Sequence, residues 1–234
     1  MISRVIISSN IFGDLKLVRL PIRYKSYSKN RRNFKEYDEK LECSISRSRN
    51  KVLDYALNNK FKYFCTLTFN DNLDSYNLAQ ISNFISQRIR DIRKKYKIDL
   101  KYVLIPEKHE KGNYHLHGFF SQDFDNCLYR NEHGYLSCED FDFCGHQSYS
   151  IIRDYKACSY YVCKYITKEM ALMSKGKHLY FCSKGLNTSK KLYDFVVSGY
   201  DSKFDFENDY CSVKNNLNDN DIDDVFKCYY NSYN

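Results

Sequence analysis

No apolar run in the 234 residues is long enough to cross a bilayer, and residues 1–10 lack the charged-then-apolar pattern of a secretory signal, so a soluble intracellular protein is expected. Tryptophan is absent and prolines number two. With abundant Tyr, Asn, Lys and Ile, that is the composition an AT-rich genome writes whatever its protein does, so the 23 tyrosines are not read as base-stacking surfaces. The ten cysteines include no Cys-x-x-Cys pair. Irregular spacing in a chain too large and too charged to need disulfide staples predicts reduced thiols, many of them buried. No Walker-type Gly-Lys-Ser/Thr occurs, which excludes a fused ATP-driven motor. No internal repeat is visible.

What is present suits one domain with extensions, long enough to bury a proper core. The formal charge of +8 is unevenly placed: residues 201–234 carry eight Asp/Glu against three Lys, a net of −5, which leaves +13 on residues 1–200. A basic body attracts polyanions, of which nucleic acid is the commonest in a cell. The polar, basic stretch 22–33 has no period that would bury a face and reads as an arm or loop suited either to phosphate contact or to solvent.

A helix is predicted over residues 43–59 and a buried strand over 62–69, followed by a turn at Asp71 and Asn72. Leu78, Ile81, Phe84, Ile85, Ile89 and Ile92 recur at helical spacing, with Arg88, Arg90, Arg93, Lys94 and Lys95 on or beside the polar face. Arg88, Arg93, Lys94 and Lys95 are therefore candidate DNA-backbone contacts. Residues 101–108 and 114–121 form two strand-like runs around Glu110-Lys111-Gly112-Asn113, good turn chemistry for a hairpin. A strand over 148–153, a helix over 155–174 and a short strand over 178–182 follow. The mixture predicts an α+β fold on a central antiparallel sheet, about five strands flanked by helices.

His115-Leu116-His117 lies inside a strand pattern, so both imidazoles project to one face. If the hairpin folds about Lys111 and Gly112, Glu107 falls opposite residues 115–117. Two imidazoles and one carboxylate leave coordination positions open, as in a catalytic metal site. The same three groups also describe the facial triad of non-haem iron oxygenases, and two histidines on a strand face are often no site at all.

Tyr160 to Lys168 contains Tyr-x-x-Lys twice, at Tyr161/Lys164 and Tyr165/Lys168. Residues three and four apart share a helix face, so these four would form one stripe of phenols and ammonium groups. A nearby cation favours the phenolate, and a metal polarising a scissile phosphate would complete the activation. The alternative is an amphipathic helix with packed tyrosines and snorkelling lysines.

Taken together, Phe64-Cys65-Thr66-Leu67-Thr68-Phe69-Asn70, His115-Leu116-His117-Gly118 and Tyr161-x-x-Lys164-Tyr165-x-x-Lys168 resemble, in order and spacing, the three motifs of the HUH superfamily. Leu104-Ile105-Pro106-Glu107-Lys108-His109 and Ser183-Lys184-Gly185-Leu186 look like the rolling-circle replication initiators of bacterial plasmids and phages. The match spans roughly residues 45–190. The resemblance implies a single-strand DNA nickase and strand transferase that forms a 5′-phosphotyrosine bond, in the cytoplasm of a bacterial host. It implies Mg²⁺ or Mn²⁺ on His115, His117 and Glu107, although imidazoles would also suit Zn²⁺ or Ni²⁺. Tyr161 matches the catalytic tyrosine, Tyr165 the second tyrosine of members that use two in alternation, and Lys164 and Lys168 the lysines that hold phosphate or assist the phenol. Implied partners are single-stranded or hairpin origin DNA and a host helicase and polymerase, without a membrane. The expected organisation is a basic extension over 1–42, the nickase domain over 43–200 and an acidic tail over 201–234.

Tyr160 lies about 100° round a helix from Tyr161, so only the motif register chooses between them. Thr66 and Thr68 are read as structural, with DNA contact the lesser alternative. Cys127, Cys138, Cys144 and His146 fit no familiar zinc spacing. His109 is a possible alternate ligand and His178 has no evident partner. Competing functions are a transposase or mobilisation relaxase with the same chemistry, and a non-catalytic DNA-binding regulator.

Overall fold

The computed structural model of the protein describes residues 2–21, 34–69, 75–110, 112–142, 145–174, 179–198, 206–208, 211–213 and 226–229. The basic stretch 22–33, the expected turn at Asp71 and Asn72, most of the acidic tail, Cys144 and His178 lie outside them. The elements are β1 (Ile2–Ser9), β2 (Leu15–Pro21), α1 (Phe34–Asn58), β3 (Phe61–Thr68), α2 (Leu78–Tyr96), β4 (Tyr102–Lys108) and β5 (Tyr114–Ser121). After a 3₁₀ turn (Gln122–Cys127) come β6 (Tyr129–Arg130), β7 (Leu136–Ser137), α3 (Glu139–Asp142), β8 (Gln147–Ile151), α4 (Tyr155–Cys163), α5 (Lys168–Ser174) and β9 (Phe181–Cys182). β10 (Lys190–Ser198), β11 (Phe206–Asn208), β12 (Cys211–Val213) and β13 (Phe226–Tyr229) complete the chain.

The chain divides into two compact units, residues 35–187 and residues 1–34 with 188–234. The second contains an antiparallel sheet in the order β10-β1-β2-β13. Its strands β1 and β2 fall in the basic extension, where the sequence predicts no element.

The larger unit is α+β, built on a five-stranded antiparallel sheet in the order β8-β3-β5-β4-β9. Alternation sorts its side chains between two faces. Tyr63, Cys65 and Leu67 of β3, Tyr102 and Leu104 of β4, and Tyr114, Leu116 and Phe120 of β5 join one cluster, sealed by Ile81, Ile85, Ile89 and Ile92 of α2. Val103, Ile105 and Phe119 face the other way, against Ile45, Val52 and Ala56 of α1 and Val162, Tyr165 and Ile166. Phe61 joins this second cluster because a register irregularity between Phe61 and Tyr63 shifts its parity. Each buried isoleucine of α2 contributes about 2 kcal/mol of apolar burial, enough to hold the helix on its face of the sheet.

α2 starts where Asn77 accepts hydrogen bonds from the Ala79 and Gln80 amides at 3.1 and 3.3 Å. It ends at Lys97, which takes the left-handed conformation at φ 54°. The hairpin between β4 and β5 closes through His109 N donating to Asn113 O and Gly112 N donating to His109 O, both at 2.8 Å, with Gly112 at φ +93°. Glu107 stands opposite His115.

Two helices differ from expectation. α1 begins nine residues before the predicted start at 43. The single helix predicted over 155–174 is two, α4 and α5, separated at residues 164–167. There the ladder tightens to i→i+3 bonds: Lys164, Tyr165 and Ile166 donate to the carbonyls of Tyr161, Val162 and Cys163. Arg49 Nε of α1 donates to the Ile166 carbonyl at 2.8 Å, and Thr167 Oγ1 accepts from Met170 N at 3.2 Å to cap α5. Among the described residues no helix is long and apolar enough to cross a membrane.

Candidate functional site

Antiparallel register places Thr66 opposite His117 and Thr68 opposite His115. Each pair shares a hydrogen bond of 3.1 Å between the threonine Oγ1 and the imidazole Nδ1. Because a hydroxyl can donate or accept, this partner fits either tautomer while directing both Nε2 atoms away from β3. Glu107 Oε2 and His117 Nε2 meet at 2.7 Å, a diagonal contact across the hairpin. His115 Nε2 accepts instead from Asn113 Nδ2 at 3.3 Å, and its ring stacks on His109 with centroids 5.4 Å apart. Glu107 and His117 are thus together, whereas His115 is engaged elsewhere; among the described residues no three His, Cys, Asp or Glu side chains form a ready cation cage.

Burial, the largest influence on both rings, lowers His115 and His117 below the usual imidazole range. For His117 the hydrogen bond to Glu107 opposes that shift without reversing it. Both rings are therefore neutral near pH 7, the state in which a ring nitrogen can serve as a ligand or acceptor.

Tyr165 lies flat on His117, ring centroids 4.0 Å apart and planes within 6°. Its hydroxyl donates to Tyr161 Oη at 2.9 Å. The Lys164 ammonium sits 3.7 Å from the centroid of the Tyr161 ring and 4.9 Å from that of Tyr165. Phe64 of β3 packs edge-on against Tyr161. Tyr161 is 47% exposed and Tyr165 only 7%. The hydrogen bond from Tyr165, then Lys164, lowers the Tyr161 phenol below the ordinary range, while burial raises that of Tyr165. Tyr160 is exposed to the same degree as Tyr161, but the contacts with Phe64, Lys164 and Tyr165 are those of Tyr161. Lys168 is exposed at the start of α5, beyond the break, and not on the helix that carries Tyr161.

The candidate DNA contacts of α2 sit on a helix packed against the opposite sheet face. Arg93 donates to the Leu100 carbonyl from Nε at 3.2 Å and from an Nη at 2.6 Å, and that Nη also reaches Ser183 Oγ at 3.3 Å. Lys95 pairs with Asp140 at 3.2 Å, and Arg88 lies 3.9 Å from Asp91 and over the Phe84 ring. Lys94 is exposed. Ser183, buried, accepts from Tyr102 N at 2.8 Å, and Gly185 turns the chain at φ +70°, which accounts structurally for two residues of the Ser-Lys-Gly-Leu run.

Cys127 and Cys138 are buried thiols pushed up to about 12 by burial, unlike metal-binding thiolates, and His146 is exposed. The cysteines whose surroundings are described, Cys43, Cys65, Cys127, Cys138, Cys158, Cys163 and Cys182, are all free.

Sequence reasoning does not single out Arg49, the anchor of the turn after Tyr165. No local signal marks a guanidinium whose acceptor lies 117 residues away. Asn113, which holds His115, is legible from sequence only as a turn residue.

No curated protein and no solved structure matches the chain. Residues 62–170, from the first residues of β3 to α5, match the family model of the replication-associated proteins of the ORF2 type, so the stretch that carries the histidines and tyrosines is similar to that of replication-associated proteins.

Proposed function

We propose that the chain is a metal-dependent enzyme that nicks and rejoins single-stranded origin DNA to start and end rolling-circle replication, with Tyr161 as its nucleophile. The observation that carries this reading is the continuous chain of contacts from the exposed Tyr161 phenol through Tyr165 to His117 and Glu107. An activated phenol, a cation and a cluster of potential ligands thereby share one face of the sheet. The similarity to replication-associated proteins supplies the substrate class.

Tyr161 loses its proton to solvent more readily than a free tyrosine, because Tyr165 and Lys164 both favour the phenolate. Tyr161 Oη then attacks the scissile phosphorus. The Oη–P bond forms as the P–O3′ bond breaks, and the departing 3′ oxygen takes a proton from water. The 5′ phosphate stays on the enzyme as a phosphotyrosine ester, and a 3′-hydroxyl attacking the same phosphorus rejoins the strand. Lys164 is placed to offset charge on the phosphate, and Lys94 is proposed as a backbone contact for DNA beyond the nick.

Glu107, His115 and His117 are the residues proposed to hold Mg²⁺ or Mn²⁺, which when bound neutralises charge on the phosphate oxygens. The donor set fits such an ion: a carboxylate already sits at one imidazole Nε2, and both rings are fixed through Nδ1. His115 joins only by exchanging its Asn113 partner.

The test is to incubate the full chain with an overlapping set of labelled single-stranded oligonucleotides covering the DNA around its own gene, with Mn²⁺ or with EDTA. A denaturation-resistant adduct that needs the metal and is lost in Tyr161→Phe is expected. Tight binding to every strand without an adduct would replace this reading with a non-catalytic DNA-binding protein.

A further inference from the structure

We infer that Tyr165 is a positioning residue for Tyr161 and not a second, alternating nucleophile. The inference rests on the nicking reading above and assigns unequal roles to the two tyrosines within it.

On an uninterrupted helix, Tyr161 and Tyr165 would share a face and present their hydroxyls alike. The i→i+3 turn at residues 164–166 removes that equivalence. It carries Tyr165 into the cluster with Val103, Ile105, Val162 and Ile166, while Tyr161 stays 47% exposed on the last turn of α4.

Three contacts fix Tyr165 there. Its ring covers His117 in a parallel stack, its hydroxyl donates to Tyr161 Oη, and the turn behind it is held by the bond from Arg49 to the Ile166 carbonyl. Attack by Tyr165 would require leaving the stack, giving up the bond to Tyr161 and bringing a 7%-exposed side chain to a phosphate. Attack by Tyr161 requires none of these. The Tyr165 proton is directed at the Tyr161 oxygen, so the Tyr161 proton must point elsewhere, where it can leave. That hydrogen bond also restricts the rotation of the Tyr161 phenol, the orienting effect a nucleophile needs before attack.

Two experiments on the full chain test this. The first uses no DNA: limited acetylation with N-acetylimidazole, read tyrosine by tyrosine by peptide mass spectrometry. Tyr161 is expected to react at least about tenfold faster than Tyr165, and to slow several-fold in Tyr165→Phe, which keeps the ring on His117 and removes only the donor. Equal rates at the two tyrosines, or a Tyr161 rate indifferent to Tyr165→Phe, overturn the inference.

In the second, Tyr161→Phe is incubated with the same oligonucleotides and Mn²⁺. No adduct is expected; an adduct mapped to Tyr165 overturns the inference while upholding nicking. If the wild-type chain itself forms none, the nicking reading falls, and the acetylation rates still decide whether Tyr165 governs the Tyr161 oxygen.

Discussion

Thr68 and His115 face each other across β3 and β5 and share a hydrogen bond of 3.1 Å, and two residues along each strand Thr66 and His117 repeat the arrangement at the same distance. The two threonines of the Thr-x-Thr run are therefore matched one to one with the two histidines of His-x-His. A β-strand repeats its side-chain direction every second residue, so the two spacings fit each other by geometry alone.

Thr66→Val and Thr68→Val keep the shape of each side chain and remove the partner of Nδ1. If the proposed cation site is real, each change lowers Mn²⁺ affinity by about tenfold, the usual scale for losing an outer-shell partner. Isothermal titration of the full chain with Mn²⁺ measures it; unchanged affinity in both variants would show that the hydroxyls do not orient ligands.

Arg49→Met keeps the aliphatic stem and removes the bond to the Ile166 carbonyl. The expected loss is about 1 kcal/mol in urea unfolding, typical of one hydrogen bond. If the turn is what seats Tyr165 on His117, the variant also slows adduct formation at Tyr161; a normal rate at reduced stability would confine Arg49 to holding the fold.

Gly118→Ala tests the packing beneath the histidines. A Cβ at this position would stand 1.9 Å from the Val103 carbonyl oxygen and 2.9 Å from Leu104 Cα, both backbone atoms of the neighbouring strand. Neither can swing aside as a flexible side chain would, so a loss of about 3 kcal/mol is expected. Thermal denaturation followed by circular dichroism checks it, and a melting temperature equal to that of the wild type would refute the close approach.

The depressed imidazoles give stability a pH dependence of definite sign. In the unfolded chain histidine titrates near 6.5, so below about that pH the unfolded state binds protons that the folded state refuses. The stability of the neutral pair is fully present above that value and is lost as pH falls through the lower folded values. The melting temperature should drop between pH 7.5 and 5.5, and drop less in His117→Gln. An equal drop in both proteins would assign the dependence to other groups.

The hairpin is legible from sequence because its determinants are local: turn residues fix the pairing, and Glu107 stands opposite His115 as the fold about Gly112 requires. The helix after it is less so. Nothing between Tyr155 and Ser174 breaks a helix by propensity, and the interruption is imposed from outside by Arg49. Thr167 is the one local sign of it, a threonine able to cap a new helix in mid-run. Arg93 shows another limit: composition identifies a basic helix but does not say whether a guanidinium meets a phosphate or, as here, a backbone carbonyl of its own domain. Strands β1 and β2 are not legible locally because β1 pairs with β10, at the other end of the chain.

The division of β5 between two faces has a consequence for how this chain can vary. Removing a single residue between Tyr114 and His117 would not shift the site along the strand; it would reverse that end of it, sending an imidazole into the apolar cluster under α2 and Leu116 toward Tyr165. Substitutions in β5 can be graded and local, but insertions and deletions there are all-or-none, so length changes should be tolerated in the turn at 110–113 and rejected within the strand.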